Sequence, residues 1–490
     1  MKNIKGKVKV AAIIVLLLVS VFLIFLSALL IRTYTFSPAG SQAPGSRRSV
    51  GTAPAANFTL QERHQLLANL KGALRIATVS RSPDDLSPAA LAQFGDYLPT
   101  VFPTVFSSDL VQHEVIANYS HLFTVHGSND SLQPYMLIAH LDVVPASAEE
   151  WEVPPFSAEE WNGYLYGRGT LDDKSSVMVG GNSGARNIAR VLQSRGTKLS
   201  FLLDEGSAIF NGIIPGLDQP AALIATSEKG YVTIGLSVST GTGHSSMPPK
   251  ETSIGILAAA VSKLENNPMP RMFGQGPESG LFEHLSSQLR FPLNVVMANL
   301  WLFSSLVGRM MEKEPSTNAI VRTTTAVTEF HAGVKENVIA PFARATVNFR
   351  LHPAHTPEEL LRQVKNIISD ERVKIDVLKN SPSLPLSSYD DNSFGYQVIK
   401  VTIGNIFPEV AIAPGLCIAS TDTKHYQNLT NELYRFSPVI LKKEDLSRIH
   451  GVNERISVKN YEEFVKFYFR LMQHSDLWSP AFSHCASRDL

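Results

Sequence analysis

The chain has 490 residues, too many for one compact core, so two or three domains are expected. Apolar content of 44% and charged content of 18% fit an ordinary globular protein. Lys+Arg and Asp+Glu both stand at 44, a balance that excludes a polybasic surface for nucleic acid or membranes. No internal repeat is visible.

Lys2, Lys5, Lys7 and Lys9 precede an uncharged apolar run from Val10 to Ile31. That run is long enough to span a bilayer. Basic residues before it favour a cytoplasmic N-terminus and an exported body. No clean small-x-small cleavage site follows, so segment 1–31 fits a retained anchor and a cleaved long signal equally. The body is then secreted or anchored, in extracellular or lumenal space. Four Asn-x-Ser/Thr triplets, at Asn57, Asn118, Asn129 and Asn428, accord with export and glycosylation. Cys417 and Cys485 read as two free thiols rather than a bridge.

Residues 32–58, rich in Ser, Pro, Gly and Ala, read as a flexible stalk. Order starts near Thr59 with the helical pattern LQERHQLLANLKGALRI. The apolar runs PYMLIAHLDVV, KLSFLLDEG and AALIATSEKG read as buried strands alternating with helices. An α/β catalytic domain is predicted, with a mostly parallel sheet covered on both faces, over 59–230 and resuming at 380–475. From Tyr231 the style changes. GYVTIGLSVST alternates as a half-exposed antiparallel strand does, followed by an amphipathic helix (ETSIGILAAAVSKLEN) and a strand (ARATVNFRLHP). A helix capped by Thr356 and the strand VKIDVLK complete an inserted α+β lid over 231–379. NSFGYQVIKVTIGNIF and NYEEFVKFYFRLMQ return as helices of the large domain, and 476–490 is expected to be disordered.

His140 and Asp142 close a predicted strand, the end of an open α/β sheet where ligands bind. Imidazole with a carboxylate suits zinc, the carboxylate orienting the histidine, but a lone His-x-Asp is as readily a surface pair. Asp172 and Asp173 follow a glycine turn and read as a helix cap or as bridging carboxylates. Asp204 and Glu205 end another strand. His450 lies in the polar loop RIHGVNERIS. Each has an ordinary explanation alone; together they are groups that can converge at the rim of one sheet.

MLIAHLDVVP, GRGTLDDKSS, DEG, GHSSMPPKETSIGILAAAVSKLE and RIHGVNERIS resemble the dinuclear zinc exopeptidases that include carboxypeptidase S, aminoacylase and carnosinase. The resemblance covers roughly Thr59 to His474. It implies that His140, Asp172 and Asp204 hold one zinc, that Asp172 bridges to a second zinc also bound by His450, and that Asp142 orients His140. It implies that His244 in the lid polarises the scissile carbonyl, often across a homodimer formed through the lid, and that Asn337 and Arg350 receive a substrate carboxylate. The implied activity is hydrolysis, and the reverse condensation, of N-acyl amino acids with long acyl chains. Lipoprotein or membrane association would accord with such a substrate.

One departure stands out. In the family, the segment after Asp-Asp-Lys runs through a helix into a strand ending in two adjacent glutamates, the general base and a ligand of the second zinc. Here no Asp or Glu occurs between Asp173 and Asp204, and Gly180, Gly181 and Gly184 arrive almost at once. A block of roughly 30 residues is absent between intact flanks, as a skipped exon or an error in the gene model would leave it. One zinc, or one plus a weak second, is therefore expected, with exposed apolar surface and unpaired edges where the block would pack. The alternative is a non-catalytic chain that binds lipidated amino acids or pairs with an intact subunit.

Overall fold

The computed structural model of the chain describes residues 2–38, 58–82, 85–129, 131–180 and 184–478. Asn57, Cys485, most of 32–58 and the tail beyond 478 lie outside them.

The first helix, Lys2–Thr35, extends the apolar run at both ends. The body opens on the helix Leu60–Arg75, started by a capping box: Thr59 Oγ1 accepts from Glu62 N–H at 3.2 Å, and Glu62 Oε2 accepts from Thr59 N–H at 2.7 Å.

The large sheet has seven strands. Its order is Ile440–Leu441, Ile209–Phe210, Ala221–Glu228, Leu433–Arg435, Leu202–Asp204 and Met136–Leu137, with Ala411–Cys417 also paired to Ala221–Glu228. Four pairings are parallel (Met136 on Leu202, Leu433 on Leu202, Ala411 on Ala221, Ile440 on Ile209), and Ala221–Glu228 meets Leu433–Arg435 and Ile209–Phe210 antiparallel. The sheet is thus mixed though mostly parallel. Ala221–Glu228 is buried along nearly its whole length, as a covered central strand is, with Ala221–Ala225 apolar and Thr226, Ser227 and Glu228 polar. Helices Leu60–Arg75, Phe394–Ile406 and Val458–Trp478 share its core through Leu70, Ile399 and Phe464.

The run Pro134–Val144 was expected to be one buried strand. Only Met136–Leu137 is a strand, paired to Leu202–Asp204 alone. Beyond it the chain turns to other partners: Val143 N–H donates to the Thr78 carbonyl at 2.9 Å and its carbonyl accepts from Ser80 N–H. With a neighbour on one side only, a ladder has nothing to prolong it. The expected exposed apolar surface is not found at this edge. Met136, Ile138 and Leu202 are buried, packed with Leu122 of the hairpin Val111–Ile116/Ser120–Val125 and with Ile188 and Leu192 of the helix Ala185–Ser194.

The lid is a four-stranded antiparallel sheet, ordered Thr324–Ala332, Phe342–Leu351, Gly230–Ser239, Lys374–Ser381. Val232, Ile234, Leu236 and Val238 alternate inward along Gly230–Ser239, opposite Phe349, Val347, Ala345 and Ala343. Helices Ser253–Asn266 and Pro357–Ile368 cover that face, the second capped by Thr356 as expected. The sequence reading assigns nothing to 267–323. There the chain forms the helices Glu278–Leu285, Leu293–Ala298, Leu300–Met311 and Pro315–Val321.

Sheet and lid are joined where Ala221–Glu228 runs through Lys229 into Gly230, beside the returning Ser381–Ser383. A β-carbon on Gly230 would fall 2.4 Å from Ser383 N and 2.5 Å from Ser381 O. Gly230→Ala is therefore expected to cost about 1–3 kcal/mol by overpacking. A lowered midpoint in urea unfolding would show it; an unchanged midpoint would mean the two connections can separate freely.

Candidate metal centre

The turn Gly167–Lys174 delivers Asp172. Gly169 has φ 100°, a conformation glycine adopts without strain. The turn is pinned at its end by Lys174, a buried side chain whose Nζ donates to the carbonyls of Ala73 (3.1 Å) and Ile76 (2.5 Å). Burial draws its ammonium down to about 7.

Asp172 lies between two imidazoles. His140 Nε2 is 2.7 Å from its Oδ1, and His450 Nε2 is 2.6 Å from its Oδ2. His450 thus reaches a carboxylate 278 residues before it in the sequence. Burial alone would raise the Asp172 carboxyl, but the two imidazole hydrogen bonds outweigh it and hold it far below the usual range. His140 Nδ1 is 2.9 Å from the Asp142 carbonyl and 3.6 Å from the Asp142 carboxylate. The main chain of Asp142, more than its side chain, makes the orienting contact.

Glu454 and Arg168, which the sequence reading missed, hold the site together. Glu454 Oε1 accepts from the N–H groups of Gly169 (3.0 Å), Leu171 (2.7 Å) and Asp172 (3.3 Å). Its Oε2 pairs with Arg168 Nη1 at 2.7 Å, both side chains being buried. Arg168 Nη2 in turn donates to the carbonyls of His450 (3.3 Å) and Gly451 (2.8 Å). The pair ties the Asp172 turn to the His450 loop. His450 has φ 59°, a left-handed conformation that a non-glycine residue keeps only when its surroundings hold it. The sequence signal was the single acid of the loop RIHGVNERIS, four residues after His450.

The structure does not bring Asp204 to these imidazoles by contact. Its carboxylate accepts from Thr423 N–H (3.2 Å) and Glu205 N–H (2.9 Å). The buried Arg435 fixes that loop through Thr423 Oγ1 at 3.0 Å and lies 3.3 Å from Glu228 Oε2. The Glu205 carboxyl is pushed up by burial first and then by the charges of Asp204, Asp172 and Asp173.

His244, Asn337 and Arg350 sit elsewhere, on the lid. His244 is exposed, in a two-residue strand opposite Val338, with its Nδ1 accepting from Ser246 N–H. The Asn337 carbonyl accepts from Ser245 N–H, so Asn337 and the His244 turn are neighbours. Arg350 is exposed, its guanidinium 5.8 Å from the Tyr231 ring centre. Asn118, Asn129 and Asn428 are exposed. Cys417 is a buried free thiol, pushed up to about 12 mainly by burial.

The donors fit a divalent cation in their chemistry. Asp172, Asp173, Asp204 and Glu205 act on one another through space. Both oxygens of Asp173 are buried without a hydrogen-bond partner, and burial raises its carboxyl to about 7. Asp204 and Glu205 are likewise held well above the carboxylate range, by burial first and by their acidic neighbours second. A metal ion relieves such crowding. As placed, no three His, Cys, Asp or Glu side chains among the described residues enclose a common point.

Residues 136–474 match the sequence profile of Peptidase family M20/M25/M40. The chain belongs to this family. Its members are hydrolases, and the resemblance drawn from the motifs is thereby confirmed. The N-fatty-acyl-amino acid synthase/hydrolase of Xenopus tropicalis is 53% identical over 482 residues, covering 92% of this chain and 93% of the relative. The human protein of the same name is 48% identical over 456 residues, covering 87% and 91%. A probable carboxypeptidase S-like protein of Dictyostelium discoideum is 37% identical over 458 residues, covering 86% and 87%. Among solved structures, an M20 family metallo-carboxypeptidase from Sulfolobus solfataricus superposes with a TM-score of 0.60 at 16% identity, covering 84% of this chain and 99% of that one. Human carnosine dipeptidase 1 gives 0.57 at 13%, covering 85% and 97%. The M20 fold, an α/β catalytic domain with a lid, is thus shared.

Proposed function

We propose that the chain is a zinc-dependent M20 amidohydrolase of N-fatty-acyl amino acids, running hydrolysis and the reverse condensation, with its metal centre reduced. The carrying observation is the Asp172 carboxylate held at 2.7 and 2.6 Å between His140 and His450. The substrate class comes from relatives about half identical in sequence.

His140 and Asp172, with a carboxylate of the Asp204–Glu205 pair, would hold one zinc; Asp172 and His450 would offer a second ion only two donors. Zinc, when bound, supplies Lewis acidity toward the amide carbonyl. The protein contributes the rest. Glu454 and Arg168 set the separation of the Asp172 turn and the His450 loop. His140 keeps Nε2 toward the site because Nδ1 faces the Asp142 carbonyl. Asp173, raised to about 7, is a group that can take up or give back a proton near neutrality. His244 and Arg350 on the lid would meet the substrate's carbonyl and carboxylate on closure.

The proposed missing block is in keeping with the alignment length: the Xenopus alignment runs over 482 residues, whereas 92% of a 490-residue chain is about 451, a difference of about 31.

Zinc content of the purified chain, read beside fatty-acid release from N-oleoyl-phenylalanine, tests the proposal. We expect near one tightly held zinc, lost in Asp172→Ala, and slow hydrolysis. Two tightly held ions would overturn the reduced centre. Zinc without any hydrolysis would favour a non-catalytic binder of lipidated amino acids, and no zinc at all would overturn both.

A further inference from the structure

The lid strand Phe342–Leu351 ends one residue after Arg350. Arg350 stands in register between Tyr231 and Thr324. The turn that follows is buried and polar. His352 N–H donates to Thr323 Oγ1 at 2.9 Å, and that hydroxyl lies 2.8 Å from His355 Nδ1. His355 N–H donates back to the His352 carbonyl at 2.8 Å. The exposed Arg350 is thus two residues from a histidine that has no exposure at all.

The His352 ring fixes its own tautomer. Nδ1 accepts from the Ala354 N–H at 3.2 Å, so the proton of the neutral imidazole sits on Nε2. Nε2 has no hydrogen-bond partner, and it faces Glu278 Oε2 at 3.6 Å, which has none either. Glu278 is as deeply buried, with Oε1 accepting from Gly274 N–H (2.7 Å) and Gly276 N–H (3.3 Å). Gly276 fills the space beside both: a β-carbon there would fall 2.5 Å from Glu278 Oε2 and 3.1 Å from the His352 ring. A buried donor and a buried acceptor with no other outlet are kept together by the cost of parting them.

The two residues belong to different layers. His352 follows a lid strand. Glu278 opens the helix Glu278–Leu285, whose Leu281 and Leu285 share a buried cluster with Ala411 and Ala413 of the large sheet. Their contact therefore rivets the helix seated on the large sheet to the strand end that carries Arg350. A shift of that end by about 1 Å would carry the guanidinium with it, a displacement that can cost a positioned contact about 10²-fold.

We infer that Glu278 and His352 position Arg350 for the substrate carboxylate, by tying the strand end that carries the guanidinium to the helix seated on the large sheet. Both are fully buried, so neither meets the substrate itself. The inference rests on the role proposed above for Arg350 and adds the residues that hold it in place.

Binding of N-oleoyl-phenylalanine and of its methyl ester to the purified chain is measured by equilibrium dialysis. The free acid is expected to bind about 10–100-fold more tightly, the worth of hydrogen bonds to a charged group, and Arg350→Ala to abolish that preference. His352→Asn keeps an acceptor for the Ala354 N–H and removes the atom that faces Glu278. Glu278→Gln, the milder change, keeps the acceptor for Gly274 and Gly276 and sets an amide donor against the His352 N–H. Each variant is expected to lose the acid preference by about 10-fold or more, with ester binding unchanged, at a temperature where circular dichroism shows it folded. Acid and ester weakened equally would make the pair a fold element only and overturn the inference. An acid preference kept in the variants would overturn it too, leaving the role of Arg350 intact. Acid and ester bound alike by the unaltered chain, or a preference that survives Arg350→Ala, would instead remove the carboxylate role of Arg350 and this inference with it.

Discussion

Inserting between Met178 and Gly184 the block proposed to be missing, taken from the Xenopus relative, is expected to raise hydrolysis of N-oleoyl-phenylalanine by about 10²–10⁴-fold, the usual contribution of a positioned acid–base group. The gain rests on what the present site lacks. Asp172 already faces one imidazole through each oxygen, but among the described residues no third metal-ligating side chain joins His450 and Asp172 around a common point, and Asp173 is only proposed as a base. Bound zinc should rise toward two per chain in the same variant. The melting temperature should rise too, because Met136–Leu137 would gain a neighbour on its open side. Two zincs with an unchanged rate would mean that the general base was never the missing part.

Glu454→Gln is expected to destabilise the fold by about 3–5 kcal/mol, the cost of leaving one member of a buried ion pair alone. Arg168 would keep its charge with only carbonyls around it, and three N–H groups of the Asp172 turn would lose part of their acceptor. The same variant should bind zinc about 10–100-fold more weakly, as when the groups behind metal ligands are removed. Affinity is measured well below the melting point, so that unfolding does not enter. A variant that melts lower but binds zinc unchanged would make the pair a fold element only. Arg168→Lys should fail similarly, since a single nitrogen cannot occupy both the place where Nη1 meets Glu454 and the place where Nη2 meets the His450 and Gly451 carbonyls.

Much of this was legible in the sequence where local rules and tertiary structure agree. Thr59 with Glu62 and Thr356 with Glu359 announce their helices, and the alternation along Gly230–Ser239 announces a strand covered on one face. His140, Asp172 and His450 were legible as a set. The tandem acids were not: sequence assigns Asp204 and Glu205 to a strand end, but that Asp204 turns to the Thr423 N–H, in a loop fixed by Arg435, depends on residues distant in the chain. Glu454 looks like any acid in a polar loop until its three N–H partners are known. The helices between Glu278 and Val321 were missed because Leu300–Met311 is apolar with no clear polar face, and that ambiguity is itself the sign of a helix with more than one kind of neighbour. The Pro134–Val144 run was over-read because a strand's length is set by its neighbours as well as by its residues.

The crossing at Gly230 has a mechanical consequence. Both covalent links between sheet and lid pass through one narrow waist, touching where a side chain would not fit. The crossing is braced on two sides. Leu281 and Leu285 of the helix Glu278–Leu285 pack in one buried cluster with Ala221, Ala411 and Ala413 of the large sheet. Lys229, whose Nζ donates to the carbonyls of Ala319 and Arg322 at 2.8 Å each, ties the same crossing to the helix Pro315–Val321 and the residue that follows it, so the inserted segment and the sheet are held together by packing as well as by the chain.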